Sequence, residues 1–493
     1  MKKYIIVLFL CIFTQSVLAQ NVGKIEGRVI DAQTREPIEF ANVIVTNQQV
    51  GAITKENGEF VINNVPLGYV KLTISILGYT TKLTSSYYVT KEIIPFVEVA
   101  LEASNEELEE VVITRRTIRK SLENPLSTQV LGITEIEKNP GGNRDVLKVL
   151  QSLPGVATNP GFRNDVIIRG GAPFESKFYL DGIEVPVINH FQTQGATGGP
   201  VGIINADLIR EVNFSTSAFL ASQGNALSAI TNFTQKTGNK DHVNARLTLG
   251  TSDAGITLDG PISKNATFIA SFRQSYLKFI FEVLKLPFLP TYNDFQLNTK
   301  FKLSEKDELS IIALGAIDNF KLNTGVNKNV TDEDDIKRNE YIIANIPISE
   351  QWNYTVGASY KHYSKNSFQN IIISRNEWKN EAIKYFNNTN NPSDLLIDYD
   401  SKEIENKFRF ENVFSLKNEY KLKAGFNFDN VNYTNATFQK IATSNGNFEN
   451  IYNTNLDLNK YGIYSQLSKR FNKIGLGISA GFRFDAANYS DEL

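Results

Sequence analysis

The sequence predicts a mainly β protein in three parts: a small Ig-like or prealbumin-like β-sandwich, a mixed α+β region, and a partial antiparallel transmembrane β-barrel. Three observations carry this prediction. Short β-rich runs broken by turn residues fill the chain up to about Ala103. A glycine-dense stretch with one clear helical pattern follows. From about Asp241 onwards, strands with two unlike faces alternate with connectors that are short at one end and long at the other.

The chain begins with Met1, Lys2 and Lys3, then the apolar run Tyr4 to Phe13, then Ser16-Val17-Leu18-Ala19. A basic start, a short apolar stretch and small residues at −3 and −1 describe a secretory signal peptide, with cleavage after Ala19. The run is too short for a span of about 30 Å of hydrocarbon. The one cysteine, Cys11, lies within this segment and follows Leu10, a poor context for lipidation. The mature chain thus has no disulfide, thiolate metal site or cysteine nucleophile. The net charge of −2 and the lack of a basic patch speak against nucleic acid. After the signal no apolar run approaches the roughly 20 residues of a membrane helix, so a membrane could be crossed only by a closed barrel.

In the first segment, 21–103, strand-like stretches are Lys24–Ile30, Ala41–Thr46, Gly58–Ile62 and Val70–Ile76. Asp31 to Pro37, Glu56-Asn57-Gly58 and Asn63 to Gly68 supply the turns. In the second segment, Asn143 to Leu153 has helical periodicity in Val146, Leu147, Val149, Leu150 and Leu153. Asn143 suits its N-cap and Pro154-Gly155 its stop. Asp165–Ile168 and Phe178–Leu180 read as strands, and a second short helix is expected near Asn205–Ile209.

The third segment alternates most clearly at Ile474 to Asp485, where Leu476, Ile478, Ala480, Phe482 and Phe484 oppose Gly477, Ser479, Gly481, Arg483 and Asp485. Tyr420 to Asp429 repeats the pattern, and Val243, Ala245, Leu247 and Leu249 oppose Asn244, Arg246, Thr248 and Gly250. Such alternation also fits a soluble sheet with one wet face. The connectors decide for a barrel. The short ones are 259–265, 304–308, 347–351, 416–419 and 470–473; the long ones are 277–292, 319–338, 364–402 and 431–457. Only the hairpin near Ser252 is tight on the long side. Short turns are assigned to the periplasm and long, polar loops to the outside. The count is about 11 strands where single-chain bacterial barrels use an even number, so the barrel is expected to be incomplete at Leu493.

These features resemble a known family. Gly27-Arg28-Val29-Ile30-Asp31, Pro37, Ala41-Asn42-Val43, Gly51 to Thr54, Asn57-Gly58-Glu59-Phe60 and Leu77-Gly78-Tyr79 are similar to the carboxypeptidase-regulatory-like domain of Bacteroidetes receptors. That segment contains no histidine and none of the zinc-ligand motifs of a peptidase. Leu153-Pro154-Gly155-Val156, Ile168-Arg169-Gly170-Gly171, Phe178 to Ile183 and Gly224 to Ile230 resemble the plug of a TonB-dependent outer-membrane receptor. Ala229-Ile230-Thr231-Asn232 departs from the more usual Gly-Val-Ile-Asn. The domains expected are a signal peptide (1–19), the regulatory-like sandwich (21–103), a TonB box and linker (104–116), the plug (117–240) and the N-terminal half of a barrel (241–493) with about 11 of about 22 strands.

The resemblance implies roles for particular residues. Glu110, Val111, Val112, Ile113 and Thr114 look like a TonB box; such a β-branched run favours an extended strand that adds to a sheet edge on TonB, itself driven by ExbB/ExbD. Arg169, with Gly170 and Gly171, is expected to anchor the plug by pairing with carboxylates of the barrel wall. Asp181 and Gly182 read as a tight plug turn in the same anchoring set. Asn189, His190, Phe191 and Gln192 form the candidate apical ligand loop, set against the ordinary structural use of a lone histidine. The loops from Ser364 and Val431 are rich in Asn and Tyr, which suits polar or sugar-like ligands.

No nucleophile elbow, P-loop, dinucleotide fingerprint or metal-ligand cluster occurs, and the only histidines are His190, His242 and His362. The expectation is no catalytic residue, no metal, no cofactor and no enzyme. The function expected is TonB-dependent import of a scarce nutrient, siderophore-iron or similar, across the outer membrane. The alternatives are a glycan or peptide importer working with a surface lipoprotein, or a non-transporting surface adhesin. The Gly-Tyr-Gly signature of the SusC-type glycan importers is missing beside the box.

Overall fold

The structure, a computed structural model, describes residues 22–91, 94–103, 128–139, 142, 144–158, 163–217, 219–416, 420–443, 446–471 and 476–488. The expected signal peptide, the TonB box at Glu110–Thr114 and the predicted cap Asn143 lie outside the described residues. The chain forms two compact units, one of residues 1–30 with 37–104, the other of 31–36 with 105–493.

The first unit is all β. Its strands are β1 (Val22–Asp31), β2 (Asn42–Val45), β3 (Gly51–Ile53), β4 (Glu59–Pro66), β5 (Gly68–Val70), β6 (Leu72–Ser75), β7 (Lys82–Leu83), β8 (Tyr87–Val89) and β9 (Phe96–Leu101). They form the sheets β4-β1-β9 and β3-β2-β6-β7 and the pair β5-β8. Alternate residues point into one core of Ile25, Val29, Val43, Phe60, Ile62, Leu72 and Ile74. Asp31 makes the turn after β1, its carboxylate accepting from the Gln33 N–H at 2.7 Å and the Thr34 N–H at 2.8 Å. The predicted stretch Val70–Ile76 divides between β5 and β6.

In the second unit a central domain comes first. It comprises β10 (Thr128–Gly132), α1 (Ile133–Lys138), α2 (Val146–Leu150), β11 (Val156–Ala157), β12 (Ile167–Ile168), β13 (Lys177–Leu180), β14 (Ile183–Glu184), β15 (Asn189–His190), β16 (Val201–Gly202), β17 (Ile209–Ser215) and β18 (Ile230–Gln235). The main sheet has order β10-β17-β18-β13-β14, with β13 and β18 parallel. The helix predicted over Asn143–Leu153 is shorter. Asp145 caps it, accepting from the Leu147 N–H at 2.9 Å. The same carboxylate accepts from Gly202 N–H at 2.8 Å and Asn164 Nδ2 at 2.6 Å, so tertiary partners fix the helix start. The short helix expected near Asn205–Ile209 is a single 3-10 turn at Ala206–Leu208, capped by Asn205. The strand expected at Asp165–Ile168 shrinks to Ile167–Ile168.

Eleven strands follow: β19 (Asn244–Leu249), β20 (Asp253–Ser263), β21 (Ala266–Ser275), β22 (Phe288–Lys302), β23 (Asp307–Leu322), β24 (Ile348–Ser364), β25 (Ser367–Tyr385), β26 (Leu395–Ser415), β27 (Tyr420–Thr443), β28 (Gly446–Phe471) and β29 (Leu476–Ala487). They form one antiparallel sheet in sequence order. Two outer connectors carry helices, α3 (Leu277–Val283) and α4 (Glu333–Asn345). The strand count matches the expectation through two errors that cancel. The stretch before 347–351 is helix, because Asp332 caps α4 by accepting from the Asp334 and Asp335 N–H groups. The supposed loop 364–402 contains β25, which turns back at 365–366 and pairs with β24 along its whole length. The supposed loop 431–457 is the continuous extension of β27 and β28, paired to Thr443↔Gly446.

The polarity of this sheet is inverted relative to a soluble one. Along β22, Asp294, Gln296 and Asn298 are buried while Phe295 between them is 42% exposed. Ile256, Phe272 and Phe295 stand directly opposite one another on the exposed face. Leu247 and Leu249 on β19 are each 81% exposed. An exposed apolar face and a buried polar face are what lipid outside and a polar lumen require. No helix among the described residues is long and apolar enough to cross a membrane, which leaves crossing by strands untouched.

Candidate functional site

The buried polar face of the sheet closes on the central domain. Partners of that domain occur from the first strand of the sheet to the last: Arg246 on β19 pairs with Asp207, and Arg483 on β29 donates to the Ala221 carbonyl at 3.3 Å. The sheet therefore curves around the domain, and the candidate site is the joint between them.

At its centre is the β13–β14 turn. Asp181 (φ 48°) and Gly182 (φ 87°) both take left-handed backbone, which glycine tolerates freely and aspartate better than most residues. Asp181 accepts from the Gln235 N–H and Gln235 Nε2, each at 3.0 Å, and from Asn298 Nδ2 of the wall at 3.1 Å. Gln235 Oε1 accepts from wall residue Gln296 at 2.7 Å, and Gln296 Oε1 accepts from the Asn205 N–H at 3.0 Å. Arg409 on β26 donates to the Gly182 carbonyl at 2.8 Å. Gln235 and Gln296 are fully buried, so each unmade bond here would cost the full desolvation of its donor or acceptor.

Two ionic clusters flank the turn. Asp207 pairs with Arg144 of the central domain and with Arg246 of the wall at 2.6 Å. Burial alone would raise its carboxyl, but Arg144 and Arg246 hold it below the usual carboxylate range. Burial and the nearby Arg246 guanidinium push Lys236, which donates to the Asp207 carbonyl, down to about 8. On the other side Glu184 accepts from Lys177 at 2.6 Å and from Lys407 on β26 at 2.9 Å. Burial again opposes ionisation, and the two ammonium groups overcome it and hold Glu184 well below the usual range.

The segment expected as an apical ligand loop is folded onto the wall. Asn189 and His190 are fully buried and Gln192 is 3% exposed, so these three present no surface to a ligand in this arrangement. Asn189 Nδ2 donates to the Thr197 carbonyl at 2.5 Å, and the Gln192 carbonyl accepts from Gln351 at 3.1 Å. His190 Nδ1 lies 2.6 Å from Asp318 and Nε2 lies 3.1 Å from Asp294, with the ring stacked on Tyr292 at 4.1 Å. Burial alone would lower the imidazole, yet Asp318 and Asp294 raise it to about 9. Arg273 donates to Asp294 at 3.0 Å and to the Gly202 and Ile203 carbonyls. Phe191 (φ 55°) is half-buried, its N–H donating to Asp318 at 2.8 Å and its ring edge-on to Phe320.

The anchoring expected of Arg169 is not what the joint uses. Arg169 is exposed on the left-handed turn after β12 and forms no ion pair with a described residue; Arg246, Arg273, Lys407 and Arg409 of the wall carry the ties. The turn itself is tightly built. A Cβ on Gly171 would lie 2.0 Å from Ser228 Oγ and 2.5 Å from Glu175 Oε2. The wall's polar residues were visible in the sequence as one face of alternating strands, but the partners named here lie 39 to 262 positions away. Nothing local marks Asp207, Glu184 or Gln235 as their mates.

Comparison with known proteins agrees with this geometry. The CarboxypepD_reg-like domain family matches residues 25–113 and the TonB-dependent Receptor Plug Domain family matches residues 120–230. No curated protein sequence matches the chain significantly. Among solved structures, the ferric enterobactin receptor of Pseudomonas aeruginosa is similar at 13% identity and a TM-score of 0.53, over 73% of this chain and 57% of that one. The siderophore receptor PirA of Acinetobacter baumannii is similar at 11% identity and a TM-score of 0.51, over 74% of this chain and 57% of that one. P. aeruginosa FpvA bound to heterologous pyoverdines is similar at 13% identity and a TM-score of 0.52, over 75% and 52%. The chain thus spans between half and three-fifths of the length of these receptors, and at such identity the likeness speaks for the fold. A regulatory-like domain, a TonB-dependent receptor plug domain and a polar-lined antiparallel sheet wrapped around that plug together make the chain similar to the TonB-dependent receptors.

Proposed function

We propose that this chain serves TonB-dependent import of a scarce nutrient, siderophore-iron or similar, across the outer membrane. The observation that carries the reading is a plug tied to the polar face of the wall by hydrogen bonds and ion pairs at many points, beside one apolar contact with Ile312, Leu314, Ala316, Ile372 and Trp378. A wide lumen must be sealed. A seal made of polar ties can be released by force and remade, because water replaces each broken bond. In this reading Glu110 to Thr114 pair with TonB, ExbB/ExbD supply the work, and the wall sits in outer-membrane lipid with the plug entered from the periplasm. The neighbours named as siderophore receptors favour an iron complex.

The test is uptake by cells carrying the complete gene, comparing the intact protein with one lacking Glu110 to Thr114, under limitation for iron, cobalamin or glycans in turn. Collapse of one uptake, with the protein still in the outer membrane, supports import and names the nutrient class. Loss of glycan or peptide uptake selects an importer partnered by a surface lipoprotein. Unchanged uptake throughout removes energised import and leaves adhesion.

A further inference from the structure

We propose that His190, held as an imidazolium between Asp294 and Asp318, is the pin that keeps the plug's apical hairpin on the barrel wall and sets Phe191 against Phe320 of that wall. The inference deepens the import reading, on which its meaning for transport rests.

The argument begins with donors and acceptors. A neutral imidazole has one N–H and one lone pair. Here each ring nitrogen faces a carboxylate oxygen, at 2.6 Å and 3.1 Å, in a fully buried site. Carboxylates accept and do not donate, so only the doubly protonated ring satisfies both contacts. Charge counting agrees. Asp294 and Asp318 contribute two negative charges, His190 and Arg273 two positive ones, and the buried group closes at zero. A neutral His190 would leave one net negative charge buried in the wall, a costly state. Every element packed on the ring joins in. β23 supplies Asp318, β22 supplies Asp294 and the stacked Tyr292, β21 supplies Arg273, and β20 supplies Asp253, which accepts from the Tyr292 hydroxyl at 2.7 Å.

The position of the pin gives it its effect. His190 lies on β15, paired with β16 through His190↔Val201 and Asn189↔Gly202. Arg273 takes the other strand of that hairpin by the Gly202 and Ile203 carbonyls. The two cations thus hold both strands of one hairpin against neighbouring strands of the wall. Asp318 also accepts from the next backbone N–H, that of Phe191. One carboxylate therefore grips the ring and the adjoining peptide, and it holds a bulky aromatic at φ 55°, a conformation that persists only where its surroundings impose it. Three residues on, Gln194 Oε1 accepts from the Tyr399 and Tyr433 hydroxyls of the wall, so the tip of this loop is registered against β26 and β27 as well.

The pin is tested without knowing the nutrient. In the complete receptor in detergent micelles, nitrogen NMR of imidazole-labelled protein, assigned through His190→Gln, reads both ring nitrogens directly. The expected spectrum is a doubly protonated ring at pH 7.5 that loses its proton only on approaching about 9; a neutral ring at pH 7.5 overturns the proposal. In cells, His190→Gln and Asp318→Asn are compared with the parent for killing by vancomycin, a probe too large for an intact outer membrane. Gel mobility of the unheated protein verifies that the barrel has assembled. Sensitivity raised several-fold by both variants supports the pin, and parental sensitivity in both overturns it. If the ring is charged and the variants leak while no nutrient is taken up, the pin stands and the import reading falls.

Discussion

Replacing Asp181 by asparagine tests whether the plug is held by its carboxylate network or merely by shape. The side chain keeps its size, and asparagine tolerates the φ of 48° as well as aspartate does. What changes is acceptance. One oxygen accepts from the Gln235 N–H; the other accepts from Gln235 Nε2 and Asn298 Nδ2 together. An amide offers one oxygen, so whichever way it turns at least one buried donor faces an NH2 group. Hydrogen bonds to charged groups are worth about 1.5–3 kcal/mol each, which predicts local opening raised roughly 10- to 160-fold. Hydrogen–deuterium exchange on the full receptor in detergent reads this at peptides containing Gln235 and the β13–β14 turn. Asp181→Gly gives the internal comparison: it frees the backbone yet deletes all three bonds, so it should exchange faster still. An Asn variant within about threefold of the parent, or a Gly variant more protected than the Asn one, would show that backbone strain or packing governs the turn.

Further outcomes follow from the same joint. Glu184 has its carboxyl depressed, so its contribution is present above the unfolded value and is lost as pH falls below about 4.3; proteolysis of the plug should therefore rise on acidification in the parent, and Glu184→Gln should show cleavage already raised at neutral pH and rising less on acidification, the remaining rise coming from Asp207. Gly171→Ala places a methyl against Ser228 and Glu175, so the receptor should fail to accumulate in outer-membrane fractions, whereas Gly170→Ala, with open space at its Cβ, should cost only its backbone conformation. Phe272→Lys on the exposed face should cost about 2–4 kcal/mol if the residue lies at the bilayer midplane and about 0–1 near an interface, read as heat-modifiable mobility after folding into lipid vesicles. Lys407→Met removes one of two cations from Glu184, and vancomycin sensitivity should rise less than in Lys177→Met with Lys407→Met combined.

Much of the architecture could be read from the chain because membrane strands advertise their faces. Period-two alternation in Tyr420 to Asp429 and Ile474 to Asp485 named the strands that became β27 and β29. Where alternation met polar residues it failed: β25 was read as loop because Ser367 to Tyr385 carries Arg375, Glu377, Lys379 and Glu381 on the same face as Ile371 and Ile373. The connectors assigned at 319–338 and 347–351 left the stretch between them for a strand; Asp332 as cap and the acidic first turn make it part of α4. In the site, the Asp181-Gly182 turn was legible through its own backbone chemistry. Arg169 was not, since its expected role came from motif kinship and its side chain finds no described carboxylate. His190 was weighed as a ligand contact because nothing nearby in sequence announces Asp294 and Asp318, 104 and 128 positions on.

The buried row Asp294, Gln296 and Asn298 has a consequence for the passage itself. Amides and carboxylates that clasp the plug are the same groups that would line the channel once the plug shifts. Released from His190, Gln235 and Asp181, they would hydrate at once, so the opened path would be wetted from its first moment. Among the described residues the wall adds Ile312, Leu314, Ala316, Ile372 and Trp378 to the plug's apolar cluster, a small oily surface beside the polar ties. On the proposed import reading, the gasket and the lining of the pipe would be one set of side chains, and work done on the plug would go into moving chain and not into drying or rewetting a pore.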